Sequence, residues 1–319
     1  MAAGWPRAAG LLAGALMDRV VADPERGHPV AVFGTAAGRL EERLYAPSRT
    51  RGAAFAVLAV APVAAAGALA DAGRCRAFAV TATATWAVVG GAMLGREAAA
   101  MADALEAGDL AEARRRLPHL CGRDPSGLDA DALARATVES VAENTSDAVV
   151  APLLWGALLG PAGLLGYRAV NTLDAMVGHR SARYERFGWA AARLDDVANW
   201  APARLTALLV AAAAPVVGGD PRRAWRARAR YGDRHPSPNA GQCESAFAGA
   251  LDIRLGGRNV YGGRVEHRPE LGDGRAPRVR DIRRAVRLAR AVNAGAALVA
   301  AAAAWATAER LRPVSGEAR

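Results

Sequence analysis

Lysine is absent from this 319-residue chain, and all 41 basic residues are arginine against 31 acidic ones. That absence excludes a Walker P-loop lysine, a pyridoxal-phosphate Schiff base and a lysyl-adenylate intermediate. Any phosphate clamp must instead use arginine, backbone N–H groups or a metal ion. Aromatic residues make up only 5% of a chain that is 52% hydrophobic, and alanine supplies much of the rest. Close-packed helices fit that balance better than a β-sandwich. Cysteine is scarce: Cys75, Cys121 and Cys243 form no CxxC, and the five histidines form no HxxxH pair. Neither a disulfide framework nor a structural zinc site is indicated. The net charge of +10 suggests nucleic acid. The arginines are nevertheless spread along the chain without interleaved aromatics or a binding motif, so no nucleic-acid partner is expected.

What the chain does have is long charge-free runs. The segment 8–22 reads as a retained membrane helix, because no small-residue cleavage site follows it. Asp-Pro at 23–24 and His-Pro at 28–29 mark breaks after it. Runs at 53–70 and 77–94 are each close to the roughly 20 residues a bilayer needs, and their short link suggests a helical hairpin. A further run at 291–308 precedes a basic tail. Runs at 148–166 and 205–219 are ambiguous. The first holds two prolines and four glycines and reads as re-entrant or buried. The expected fold class is all-α: a multi-pass helical membrane protein with a helical, largely cytoplasmic-facing catalytic region. One domain, 1–319, is expected, with N-terminal membrane helices (1–94), a motif-bearing catalytic region (95–290) and a C-terminal membrane helix and tail (291–319). Arginines collected on one side make that side cytoplasmic.

Polar residues gather between these runs. Glu139, Glu143 and Asp147 recur at i, i+4 and i+8 and share one helix face, with Asn144 beside them. Three acids on one stripe repel unless cations or a metal ion offset them. Asn171 and Asp174 are three apart, Asp195 and Asn199 four apart, and Arg193 lies three before Asp196. A solvated helix face accounts for any one pair. The whole set, abutting a membrane-like run, points to a site. Further on, RHPSPNAGQCESAFAGAL (234–251) places Ser237 at an N-cap and Pro238 at N1 of an alanine-rich helix, which Gly256 and Gly257 end. Free N–H groups at its start beside Arg234 make a candidate anion site. An ordinary helix cap is the competing reading. YGG at 261–263 reads as a turn.

The motifs ExxxEN-SD, NTLDxMVGH, ARLDDVxNxxPAR and HPSPNAGxxESAxAGAL followed by LGG, with DPERGHPV before them, resemble the CobD/CbiB family of cobalamin biosynthesis. The resemblance covers roughly residues 10–310 with the motifs in order. His179 departs from the aromatic or other residue that relatives often carry. Membership implies a multi-pass protein of the bacterial inner membrane. It also implies adenosylcobinamide-phosphate synthase activity, in which aminopropanol phosphate is joined by an amide bond to a propionate carboxylate of adenosylcobyric acid, with ATP. The corrinoid is then a substrate, not a cofactor, and other cobalamin-pathway enzymes are partners. The pathway's pyridoxal-phosphate decarboxylase, which shares the family's letters, is ruled out by the missing lysine.

A carboxylate is a poor electrophile, so amide formation needs activation, most simply as an acyl phosphate. That calls for Mg²⁺ held by carboxylates, cations on the phosphates and a base for the incoming ammonium. Catalytic candidates are Glu139, Glu143, Asn144, Asp147, Asn171, Asp174, Asp195 and Asp196, with Asp174, Asp195 and Asp196 as the Mg²⁺ ligands. Arg180, Arg193 and Arg204 are candidate phosphate clamps, with Ser237, Asn239, Gly241 and Glu244 as candidates for binding ATP or aminopropanol phosphate. A transporter or sensor is the alternative, but it predicts polar residues inside the apolar runs rather than at their ends.

Overall fold

The structure, a computed structural model, describes residues 5–21, 27–71, 74–179, 181–261 and 264–310. Helices follow one another as α1 (Trp5–Val20), α2 (Pro29–Leu44), α3 (Arg49–Ala70), α4 (Arg74–Val88), α5 (Gly91–Glu106) and α6 (Leu110–Arg116). Then come α7 (Ala130–Thr145), α8 (Ala151–Leu159), α9 (Pro161–Leu173), α10 (Tyr184–Phe187), α11 (Trp189–Ala198) and α12 (Trp200–Ala213). The chain closes with α13 (Pro221–Tyr231), α14 (Ala240–Leu251), strands β1 (Leu255–Tyr261) and β2 (Arg264–Leu271), and α15 (Val279–Arg310). The class is all-α, as expected. The sheet among the described residues is the antiparallel β1–β2 hairpin, bulged between Leu255 and Gly257. Tyr261 pairs with Arg264 across the expected turn, whose Gly262 and Gly263 lie outside the described residues.

Among the described residues, four helical segments are long and apolar enough to cross a membrane: Arg49–Ala70, Arg76–Glu106, Trp200–Val217 and Val279–Glu309. They coincide with the runs read at 53–70, 77–94, 205–219 and 291–308. The first helix, α1, has 16 residues, fewer than the roughly 20 that span a bilayer.

The chain divides into two compact units, 1–89 with 152–195 and 297–319, and 90–151 with 196–296. The first unit draws on all three of the segments marked off in the sequence. In it α1 packs on α4 and α3 on α9. The expected α3–α4 hairpin is therefore only loosely packed, because small residues direct each helix to another partner. Gly10 and Gly14 lie one turn apart on α1, and a Cβ at Gly14 would sit 2.5 Å from the Ala82 carbonyl of α4. That spacing lets the two backbones approach closely. Phe55 and Phe187, with ring centroids 5.1 Å apart, centre the apolar core with Leu173 and Val177.

The run at 148–166 is not one helix. Gly160, at φ 63°, breaks it, and α9 folds back along α8 so tightly that a Cβ at Gly163 would lie 2.1 Å from the Trp155 carbonyl. The nine and 13 residues of α8 and α9 are each too short to span.

In the second unit α14 is the centre. Every residue from Ala240 to Leu251 is buried, with α7, α12 and α13 packed around it. Its ends differ from the sequence expectation. The helix begins at Ala240 with Asn239 as N-cap, not at Pro238, and stops at Asp252 in the left-handed region (φ 57°). Gly256 and Gly257 instead form the bulge of β1, at φ 87° and 86°. The early stop follows from a parallel bridge between Ile253 and Arg275, which pulls the chain away from the helix axis.

Candidate functional site

Asp129 caps α7 by accepting the Ala132 N–H at 2.8 Å. The helix carries Glu139, buried, and Glu143 and Asn144, half-buried. It then widens into a π-helical turn over Ser146–Val150, with the Ala151 N–H bonded to the Ser146 carbonyl. A second π-turn, Asp174–Gly178, closes α9. Each turn holds one predicted site acid, Asp147 or Asp174, both half-buried. A π-turn adds one residue per helical turn, so it shifts the expected i, i+4, i+8 stripe and re-aims the side chains. Such turns recur at functional sites.

Glu139 is fully engaged inside its own unit. One oxygen accepts from Arg123 at 2.5 Å and the other from the Gly256 N–H at 2.7 Å, which clips the 121–129 loop and β1 onto α7. Arg135 reinforces the clip by donating to the carbonyls of Gly256 and Arg258. Asn144 donates back to the Ser140 carbonyl at 3.0 Å.

Glu244, on α14, is buried beside Glu139 and Glu143. Burial first, and then those two negative charges, push its carboxyl well above the usual range, while Arg268 and Arg123 act in the opposite direction. His235 Nε2 lies 3.7 Å from Glu244 and 2.9 Å from Arg268. Each neutral form of the ring accepts from one of the two donors that face it, the Ser237 N–H or the Arg268 guanidinium, and turns a ring N–H toward the other. In one, Nδ1 accepts the Ser237 N–H at 3.0 Å and Nε2–H faces Glu244. In the other, Nε2 accepts from Arg268 and Nδ1–H points to the Ser237 carbonyl at 3.4 Å. Burial and the Arg268 charge bring His235 down to about 4. Cys243 is buried too, and its thiol is pushed up by burial and by the Asp147 carboxylate.

The start of α14 is knitted together rather than open. Ser237 Oγ accepts the N–H groups of Asn239 and Ala240, at 3.3 and 3.2 Å, so these are not the free donors the sequence suggested. Asn239 donates to the Asp196 carbonyl at 2.8 Å and accepts from Arg204 at 3.2 Å. Arg204 also lies over the Trp200 ring, 4.4 Å from its centroid. Gly241 is required here, since a Cβ would meet the Gly232 carbonyl at 2.3 Å.

In the first unit Asn171 donates to Asp195 at 3.2 Å, and Arg168 reaches Asn171 at 3.5 Å. Arg193 is exposed, and Arg180 lies outside the described residues. His179 meets the Tyr184 ring edge-on at 5.0 Å. The structure thus brings together Asn171 with Asp195 in one unit. In the other it joins Glu139, Glu143 and Glu244, and separately Asp196, Arg204, Ser237 and Asn239. Arg123, His235 and Arg268 were missed. His235 was visible in HPSPN, but nothing local marks Arg123 or Arg268, which reach the acids through a loop and a hairpin.

Among the described residues no three His, Cys, Asp or Glu side chains stand together as a metal-holding group. The half-buried carboxylates of Glu143, Asp147, Asp174, Asp195 and Asp196 still suit a hard cation that takes one or two protein oxygens and completes its shell from phosphate and water.

The family model described as CobD/Cbib protein matches residues 11–289. A protein from Mycobacterium tuberculosis (strain CDC 1551 / Oshkosh) named "Cobalamin biosynthesis protein CobD" is 57% identical over 296 residues, 92% of this chain and 95% of its own. Proteins of the same name from Geobacter metallireducens and Rhodobacter capsulatus are 45% and 41% identical. They cover 82% and 94% of this chain, and 86% and 92% of their own. No solved structure matches. With the matched region running from α1 into α15 and taking in every motif read above, the chain belongs to the CobD/Cbib protein family.

Proposed function

We propose that the protein is the adenosylcobinamide-phosphate synthase of cobalamin biosynthesis. The relatives' shared name supports the pathway. The observation that carries the site is the π-turn at Asp174–Gly178, which places the half-buried Asp174 of a family motif in the unit that also joins Asn171 to Asp195. In the reaction a propionate oxygen of adenosylcobyric acid attacks the γ-phosphorus of ATP, releasing ADP. The amine of aminopropanol phosphate then attacks the activated carbonyl carbon, releasing phosphate and losing a proton. One or two of Asp174, Asp195 and Asp196 would hold Mg²⁺, which would neutralise the phosphate charge. Asn171 orients Asp195 through their hydrogen bond. Glu143 and Asp147 are the candidate proton acceptors, and the arginines steady anionic groups.

Asp174→Asn and Asp196→Asn are each expected to remove most turnover while the membrane keeps normal protein levels. The assay is conversion of adenosylcobyric acid, aminopropanol phosphate and ATP to adenosylcobinamide phosphate across a Mg²⁺ titration. Near-normal turnover with unchanged Mg²⁺ dependence in both variants would sink the assignment. We place the protein in the bacterial inner membrane with this chemistry on the cytoplasmic side, where ATP is. Pro238→Cys, at an exposed position, should then react with an impermeant thiol reagent in inverted vesicles and not in intact spheroplasts.

A further inference from the structure

The helix α13, PRRAWRARARY, has five arginines and no acid in 11 residues. Asp220 caps it by accepting the Arg222 N–H at 2.9 Å. At 100° per residue, Ala224, Ala227 and Tyr231 fall on one side, and these are its buried residues. The opposite side carries Trp225, Arg222, Arg226 and Arg230, all exposed, with Arg223 at its edge. The stripe is held in place from beneath. Gly249 of α14 lets the two helices cross so closely that a Cβ there would lie 2.7 Å from the Ala227 Cβ.

Two of these arginines have acidic partners: Arg223 pairs with Asp252 at 2.6 Å, and Arg230 with Asp273 at 3.4 Å. Both pairs are solvent-exposed and weak. Arg222 and Arg226 have no carboxylate partner among the described residues; Arg226 Nε bonds only the Arg222 carbonyl, at 3.3 Å. Arg226 lies between two hollows. A cleft of about 830 Å³ lies on one flank, with Arg223, Arg226 and Arg230 over a small-residue floor. A shallower depression of about 560 Å³, lined by Pro221, Arg222, Trp225 and Arg226, lies on the other.

The position of this helix selects its partner. The membrane-capable segment Trp200–Val217 ends four residues before Pro221. Four residues reach about 14 Å at most, so the first arginines stay near the end of that span. A basic helix beside a span, with a tryptophan among the arginines, suits the headgroup layer of an anionic leaflet. Asp252 and Asp273 line the larger cleft and repel any anion there, so an anionic group is left the acid-free flank of Pro221, Arg222, Trp225 and Arg226, where the tryptophan suits a lipid better than a soluble polyphosphate.

We propose that the Arg222–Trp225–Arg226–Arg230 face of α13 is a binding surface for the headgroups of anionic phospholipids. The full chain, reconstituted in phosphatidylcholine vesicles, is titrated with dibrominated phosphatidylglycerol or, separately, dibrominated phosphatidylcholine. The Trp225 share of fluorescence quenching is taken as the difference from Trp225→Phe. Quenching should appear at much lower mole fraction with the anionic lipid, and the preference should shrink as salt is raised. Arg226→Gln, a surface change, should weaken the preference about fivefold, and Arg222→Gln/Arg226→Gln/Arg230→Gln on the order of a hundredfold. Circular dichroism and melting of both variants must match the parent; if the triple variant misfolds, Arg226→Gln alone decides. Equal quenching by the two lipids, or none by either, overturns the proposal. So does relief of quenching by inorganic phosphate beyond that given by sodium chloride of equal ionic strength, which would mark a site for a soluble anion.

Discussion

The two compact units hold themselves together by different means. In the first, side-chain hydrogen bonds join Arg7 with Asp71, Asn171 with Asp195, and Glu41 with both Arg183 and Tyr184. Its cohesion comes from glycine-mediated helix crossings and the Phe55–Phe187 core. The second buries charge in networks. Glu139 bridges Arg123 and Gly256, and His235 lies against Glu244 and Arg268. Asp281, with no exposure, takes Arg275 in a two-pronged pair and Arg284 at 3.0 Å. Close packing of small residues is the economical way to join apolar helices in lipid, where burial between helices gains little. Buried charges add little net stability but penalise any arrangement that parts them, so they hold one geometry at the place where chemistry is proposed.

The largest break in this contrast should come from Glu139→Ala. It removes the carboxylate to which Arg123, only 4% exposed at its side chain, donates, and should cost about 3–5 kcal/mol. The double variant Arg123→Leu/Glu139→Leu should recover most of that loss. Thermal unfolding in detergent reads the effect, and faster hydrogen exchange should be confined to 90–151 and 196–296. A loss no greater in the single variant than in the double would mean the pair is incidental.

Next in size, Gly14→Leu drives a side chain into the α1–α4 crossing and should cost about 1–3 kcal/mol by overpacking. Exchange should rise in α1 and α4. Because no charge is involved, the loss should be the same at low and high salt, unlike a surface-electrostatic effect.

The smallest effect is a change of slope with pH. His235 falls from 6.5 to about 4 on folding, so its contribution is present above 6.5 and is lost as pH falls through that window. Glu244 is raised from 4.5, so its contribution is present below 4.5 and is lost as pH rises through its folded value. The two partly cancel. His235→Gln should therefore flatten the rise of stability between about pH 4 and 6.5, and Glu244→Gln should steepen it. Parallel curves for the parent and both variants would show that neither group changes its proton affinity on folding.

Much of this molecule was written in local pattern. Charge-free runs located three of the four membrane-capable segments found among the described residues, the run at 205–219 being ambiguous, because hydropathy over some 20 residues is a property of the segment alone. Four linked motifs carried the family, and Asn171 and Asp195, set in two of them, meet in space. The sequence could not give the turn at Gly160, because four glycines compete for it in that run and only the packing of α9 on Trp155 selects one. Nor could it show the two π-turns, since inserting one residue into a helix leaves no mark in composition. Glu139 looked like one acid of an exposed-to-core stripe. Its partners lie 16 residues away in a loop and 117 away in a hairpin. Arg268 likewise reaches His235 only because β2 returns beside α14. Local sequence sets which segments are helical and apolar enough for lipid. Which buried charges meet is decided by long-range closure, since a side chain's partner depends on where distant backbone is delivered.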